Sequence, residues 1–190
     1  MEWLRGDWMQ TYTGKQFFPF DPRVEDIDIV GIAHALAMTC RYGGHCKQFY
    51  SVAQHSVLVA SKAAPHNALR ALMHDAPEAY TGDLIRPIKK HPEMVVFEWV
   101  EENVEKVICA KFDLPFRLVN AEIKKLDNRI LLDEREQVMT VSPHDWAVLG
   151  EPLGVTIDPW TPELAREKFL SAFEEYSRWD RLVPKGSAAA

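Results

Sequence analysis

Two imidazoles and two carboxylates stand where a helical core would place apolar side chains or their immediate neighbours. His55 falls three residues after Val52 and four before Val59. Asp127 falls four residues after Ile123 and four before Leu131. Both positions lie on or beside an apolar helical face. A buried carboxylate there needs a strong partner, because desolvating an unpaired charge is costly. His74 and Asp75 are adjacent, and on a helix they point about 100° apart, yet both can reach one ion from the same side. Glu78 follows His74 by four residues and Asp75 by three, so it shares their surface. Each has an ordinary explanation taken singly: a hydrogen-bonded core histidine, an ion pair between Asp127 and a nearby Arg or Lys, or a wet stripe edge. Together, two nitrogen and two carboxylate donors suit Mn, Fe, Co, Ni or Zn, with positions left open for water or substrate.

Several helices must carry these side chains. Residues near 25 to 41 show a helical face at Ile27, Val30, Ala33, Leu36 and Ala37, ended by Gly43-Gly44. Ser51 with Gln54 resembles a capping box for a helix running to about Ala63. Asn67 to Tyr80 reads as one helix with Pro77 as a kink or late break. Pro87 and Pro92 punctuate a connection, and Pro92 suits the start of a long helix over 92 to 111. A helix over about 119 to 139 carries Ile123, Leu126, Ile130 and Leu131 on one face. Residues 141 to 160 are loop-like, and Thr161-Pro162 starts a final helix with Leu164, Phe169, Phe173 and Tyr176 on its apolar side. The first two dozen residues are irregular, and no stretch reads as a β-hairpin. The expected class is all-α: one domain over 1–181, a helical bundle with the metal site between helices.

The run Ser51-Val52-Ala53-Gln54-His55-Ser56, the run from Met73-His74-Asp75 through Glu78 to Thr81-Gly82-Asp83, and Asp127 resemble the motifs of HD-domain phosphohydrolases. The similarity spans roughly residues 11 to 140 and is strongest to bacterial and prophage 5'-deoxynucleotidases, with phage dATP triphosphohydrolases on the same scaffold. The resemblance implies one divalent metal (Mn, Co, Zn, Fe, Ni or Mg) held by His55, His74, Asp75 and Asp127. It implies that Glu78 orients or deprotonates the attacking water and that Asp83 is a supporting or substrate-contacting acid. Arg41 and Lys89 match phosphate-binding cations. Tyr42 stands where the cellular nucleotidases place a tryptophan beside the sugar, and the Arg41-to-His55 segment is one residue shorter than theirs. His45, after the Gly43-Gly44 turn, is a further candidate for substrate contact. His34 reads as a packed core histidine, and His66, His91 and His144 as solvated. The implied reaction is hydrolysis of the phosphate ester of a nucleotide, favouring 5'-deoxynucleoside monophosphates, with a dNTP triphosphohydrolase as the alternative. A non-catalytic nucleotide-binding module is a remote third reading.

Other features narrow the field. A net charge of -6, from 28 acidic and 22 basic residues, argues against a general DNA or RNA binder. Hydrophobic residues at 47% of 190 allow a sizeable core. Cys40, Cys46 and Cys109 are odd in number and widely spaced, which fits a reducing cytoplasm better than a disulfide framework. Cys40, His45 and Cys46 lack a fourth ligand for zinc. Gly14-Lys15 lacks the rest of a Walker A loop. No apolar run approaches the ~20 residues that span a bilayer, and the N-terminus lacks a signal-peptide pattern. A homo-oligomer is compatible with the sequence. Residues 182–190 resemble a vector-derived linker and tail. Ala79 stands where a guanosine-tetraphosphate hydrolase of the superfamily would carry an acid, a Gly-Tyr-Pro motif is absent, and a di-iron oxygenase would need further histidines in another pattern.

Overall fold

Asp28 starts the first α-helix: its carboxylate accepts the Gly31 N–H at 2.7 Å, and α1 runs over Ile29–Met38. Residues 24–26 form a separate 3₁₀ turn, so the helix begins later than its periodicity suggested. Its buried face runs through Ile32, Ala33, Leu36 and Ala37, while Val30 lies off it and is exposed. The computed structural model describes residues 5–144, 146–148 and 150–182. Apart from Leu182, the expected tail lies outside the described residues.

Ser51 caps α2, Val52–Ala60, by accepting the Gln54 N–H at 3.1 Å. The return half of the expected capping box is replaced. The Gln54 side chain instead donates to Asp158 O at 2.7 Å and accepts from Trp160 N at 3.0 Å, which ties the loop ahead of the last helix to α2. The single helix expected over 67–80 is broken in two. It becomes α3, Ala68–Leu72, and α4, Glu78–Thr81, joined by a turn. Pro77 has no N–H and disfavours helical geometry at Ala76, and the turn is closed by short-range bonds such as Ala76 N–H to Met73 O at 2.9 Å. A short α5, Arg86–Lys89, precedes the long α6, Val95–Phe112. Asn120 caps α7, Ala121–Gln137, and α8 spans Pro162–Leu182.

Helix α8 packs against α1, α2 and α3, and α2 also meets α7. The α8 core face is Ala165, Phe169 and Ala172, whereas Leu164, expected on that face, is exposed. Met9–Gln10 (β1) and Gln16–Phe17 (β2) pair antiparallel, which corrects the expectation of no hairpin. Two-residue strands are too short for alternation to show. Their turn is made by Gly14 at φ +80°, and the buried Phe17 anchors them against Tyr80. The architecture is therefore mostly helical. No helix among the described residues is long and apolar enough to cross a membrane.

The loop over 141–160 is held by a buried acid. Asp133 accepts the N–H groups of Leu153, Gly154 and Val155 at 2.6, 3.0 and 3.1 Å. Asp133→Ala strands the buried Leu153 and Val155 donors, each worth about 1–3 kcal/mol when left unpaired. The expected result is a loss of roughly 2–4 kcal/mol in a urea unfolding curve. An unchanged midpoint would show that the tether contributes nothing.

Candidate metal centre

Three segments bring four donor side chains together. His55 is the fourth residue of α2, and His74 and Asp75 occupy the turn between α3 and α4. Asp127 lies on α7. The two Nε2 atoms are 3.4 Å apart. Asp75 Oδ2 stands 3.3 Å from His74 Nε2 and 3.6 Å from His55 Nε2. Asp127 Oδ1 stands 3.4 Å from His55 Nε2 and 4.0 Å from His74 Nε2. His55, His74 and Asp75 lie mutually within 4.8 Å, and Asp127 reaches both rings from outside that group. Ligands on a tetrahedral ion with metal–nitrogen bonds of about 2.0–2.1 Å are separated by about 3.4 Å, so the spacing suits one ion.

The far side of each ring decides what the near side can do. His74 Nδ1 lies 2.6 Å from the Ala71 carbonyl, which can only accept, so Nδ1 carries the proton. His55 Nδ1 donates to Glu134 Oε1 at 2.7 Å. Both Nε2 atoms therefore face the same point, where either a proton or a metal ion would be held. Histidine metal ligands are oriented in this way by a carbonyl or carboxylate on the other nitrogen.

The electrostatics favour a cation there. Burial and Arg41 oppose a charged His55 ring, but Glu134 and Asp127 outweigh them and raise it to about 9. Burial alone would raise Asp127, yet the His55 hydrogen bond and the nearby rings hold it far below the usual carboxylate range. Glu134 is likewise held ionised, at about 2, because Arg41 and His55 overcome its burial. Whatever sits between the Nε2 atoms meets two carboxylates, Asp75 with Arg41 3.6 Å from its Oδ2 and Asp127 with the expected ion-pair partner, Lys124, 3.0 Å from its Oδ2.

No family model matches the chain. It is 34% identical over 172 residues to the Escherichia coli protein YfdR, covering 89% of this chain and 95% of that one. The chain belongs to the YfdR family. A protein of Rhodobacter capsulatus is 34% identical over 162 residues, covering 78% of this chain and 82% of its own length. Both relatives are described only as uncharacterized, so membership of the YfdR family brings no activity with it.

Around the donors of this YfdR-family chain, the remaining expected residues separate into groups. Arg41 Nη1 lies 3.6 Å from Asp75 Oδ2, and its Nη2 lies 3.3 Å from Glu134 Oε2. Arg41 Nε is buried with no hydrogen-bond partner. Tyr42 adopts φ +57°, and its hydroxyl donates to Glu134. Glu78 is buried, with Oε2 unpartnered and Oε1 3.6 Å from Lys89 Nζ. Burial, then Asp75 and Asp83, raise the Glu78 carboxyl well above its ordinary value. Burial also raises the half-buried Asp83, against the pull of Arg41. Lys89 sits 2.5 Å from Glu101 Oε1, so two carboxylates already engage its charge. His45 is exposed, as are His66, His91 and His144. His34 is only partly buried and stacks on Tyr12 at 3.6 Å. Cys40, Cys46 and Cys109 are free thiols.

Sequence reasoning passed over Glu134, Tyr50 and Glu101. Glu134 carried a signal: it follows Asp127 by seven residues and Ile130 by four, which puts it on the same α7 face. Tyr50 and Glu101 reach their partners only through the tertiary fold.

Proposed function

We propose that the chain is a divalent-metal-dependent phosphohydrolase of the HD type, hydrolysing the phosphate ester of 5'-deoxynucleoside monophosphates in the cytoplasm. The observation that carries this reading is the pair of Nε2 atoms, 3.4 Å apart, both turned inward by Nδ1 donors and met by Asp75 and Asp127. His55, His74, Asp75 and Asp127 would hold the ion. A divalent cation held there supplies Lewis acidity toward water and a phosphoryl oxygen.

The chain's own residues do the rest. Glu78 accepts the proton of the attacking water, with its Oε2 unpartnered and its Oε1 engaged by Lys89. Arg41 neutralises charge on the phosphoryl oxygens, with its unpartnered Nε as one available donor. Lys89, engaged by Glu101 and Glu78, acts mainly by keeping the Glu78 side chain in place. Tyr42 has its hydroxyl committed to Glu134 and its ring placed between Arg41 and Trp146, at 5.4 and 5.6 Å, so a sugar would meet it beside those two side chains.

The test supplies dAMP and dATP separately with Mn, Co, Zn or Mg and follows products by chromatography. Free phosphate from dAMP with dATP untouched is the expected result. Intact tripolyphosphate from dATP would replace the proposal with the triphosphohydrolase reading. Binding without turnover of either would leave a non-catalytic nucleotide module.

A further inference from the structure

Glu134 has no exposed surface, yet four donors from three separate segments converge on it. Oε1 accepts from Tyr50 OH at 2.9 Å and from His55 Nδ1 at 2.7 Å. Oε2 accepts from Tyr42 OH and lies 3.3 Å from Arg41 Nη2. A buried ion pair is weak evidence of stabilisation, because packed apolar residues of similar volume often serve as well. The two oxygens, however, face different parts of the candidate site. One holds the ring whose opposite nitrogen points at the donor cluster. The other holds the guanidinium that also lies 3.6 Å from Asp75.

We propose that Glu134 is a positioning residue that joins the metal centre to the Arg41–Tyr42 arm, holding His55 as an Nε2 donor through one oxygen and Arg41 through the other. This rests on the metal-site reading above. An acceptor on both sides is required, because all four partners donate. Glutamine presents one oxygen and one NH₂ and so cannot satisfy both. The Arg41 charge keeps the amide oxygen on its side and turns the NH₂ toward His55 and Tyr50. His55 must then surrender its Nδ1 proton and carry one on Nε2, where the ion would sit. Tyr42 contributes only one of the two bonds on the Arg41 side, so its hydroxyl is dispensable for metal.

The experiment measures zinc affinity by competition with a chelating dye for the wild type, Glu134→Gln and Tyr42→Phe, with circular dichroism as the folding control. Glu134→Gln should lose about 10- to 100-fold in zinc affinity, the usual cost of removing a partner of a ligand histidine, and Tyr42→Phe should lose little. Nitrogen-15 NMR of the zinc-loaded wild type should show the His55 proton on Nδ1, hydrogen-bonded and slow to exchange. A folded Glu134→Gln with zinc affinity within about twofold of wild type would overturn the proposal. So would a wild-type His55 with no proton on Nδ1, a result that does not depend on the variant folding. Zinc binding by the wild type without hydrolysis of any nucleotide would remove the phosphohydrolase reading and leave the role of Glu134 standing.

Discussion

Replacing His74 or Asp75 with alanine is expected to remove bound metal and turnover together while leaving a folded helical protein. The donor set comes from three segments, and the turn between α3 and α4 supplies two of the four side chains. Losing either leaves the inward-facing His55 Nε2 without its neighbour at 3.4 or 3.6 Å. The fold should survive. His74→Ala breaks one side-chain hydrogen bond to Ala71 O, worth about 1 kcal/mol net, plus the packing of a buried ring. A domain of this size is typically stable by about 5–15 kcal/mol, so the total loss is tolerable. Asp75 is partly exposed, and its removal takes away a charge that faces Arg41 rather than a piece of the core. Metal content by plasma mass spectrometry after dialysis, nucleotide turnover and far-UV circular dichroism would be measured on the same samples. Metal retained at wild-type stoichiometry in both variants would sink the assignment. Full turnover by chelator-stripped wild type would do the same.

Glu78→Gln should keep its metal and its fold but lose about 10²- to 10⁴-fold in kcat, the range expected for general-base assistance. That corresponds to about 3–5 kcal/mol of barrier. Glutamine matches the shape of Glu78 and leaves the Lys89–Glu101 pair intact, so a structural explanation for the lost rate is weak. Glutamine fills the same buried volume and gives up only the 3.6 Å charge contact with Lys89, so the substitution costs the fold little. Single-turnover kinetics with saturating metal separate the chemical step from binding. A rate within a few-fold of wild type would remove Glu78 from proton transfer, and loss of metal would make it a ligand.

Much of the helical plan was legible because local rules govern it. Ser51 and Asn120 cap their helices from their own side chains, and Ile123, Leu126 and Ile130 recur at helical spacing. His55 and Asp127 stood out as candidates for a related reason, since polar residues on or beside apolar stripes need a partner, and His74 and Asp75 stood out as an adjacent pair sharing a surface with Glu78. The miniature β1–β2 hairpin and the break at residues 73–77 were not legible. Two-residue strands have no period, and Pro77 alone does not say how far back its helix unwinds. That unwinding matters, because it places His74 and Asp75 on a turn rather than on one continuous helix. The partner that orients each histidine also had to await the tertiary structure. Ala71 O is a backbone atom that every residue type would offer, and Glu134 meets His55 across 79 positions of chain. Sequence by itself determined which residue types could hold an ion and that helices would carry His55 and Asp127, since capping and periodicity act over a few neighbours. Only the tertiary structure decided which nitrogen of each ring faces the candidate site. That choice is made by hydrogen bonds to groups that no short-range rule brings near.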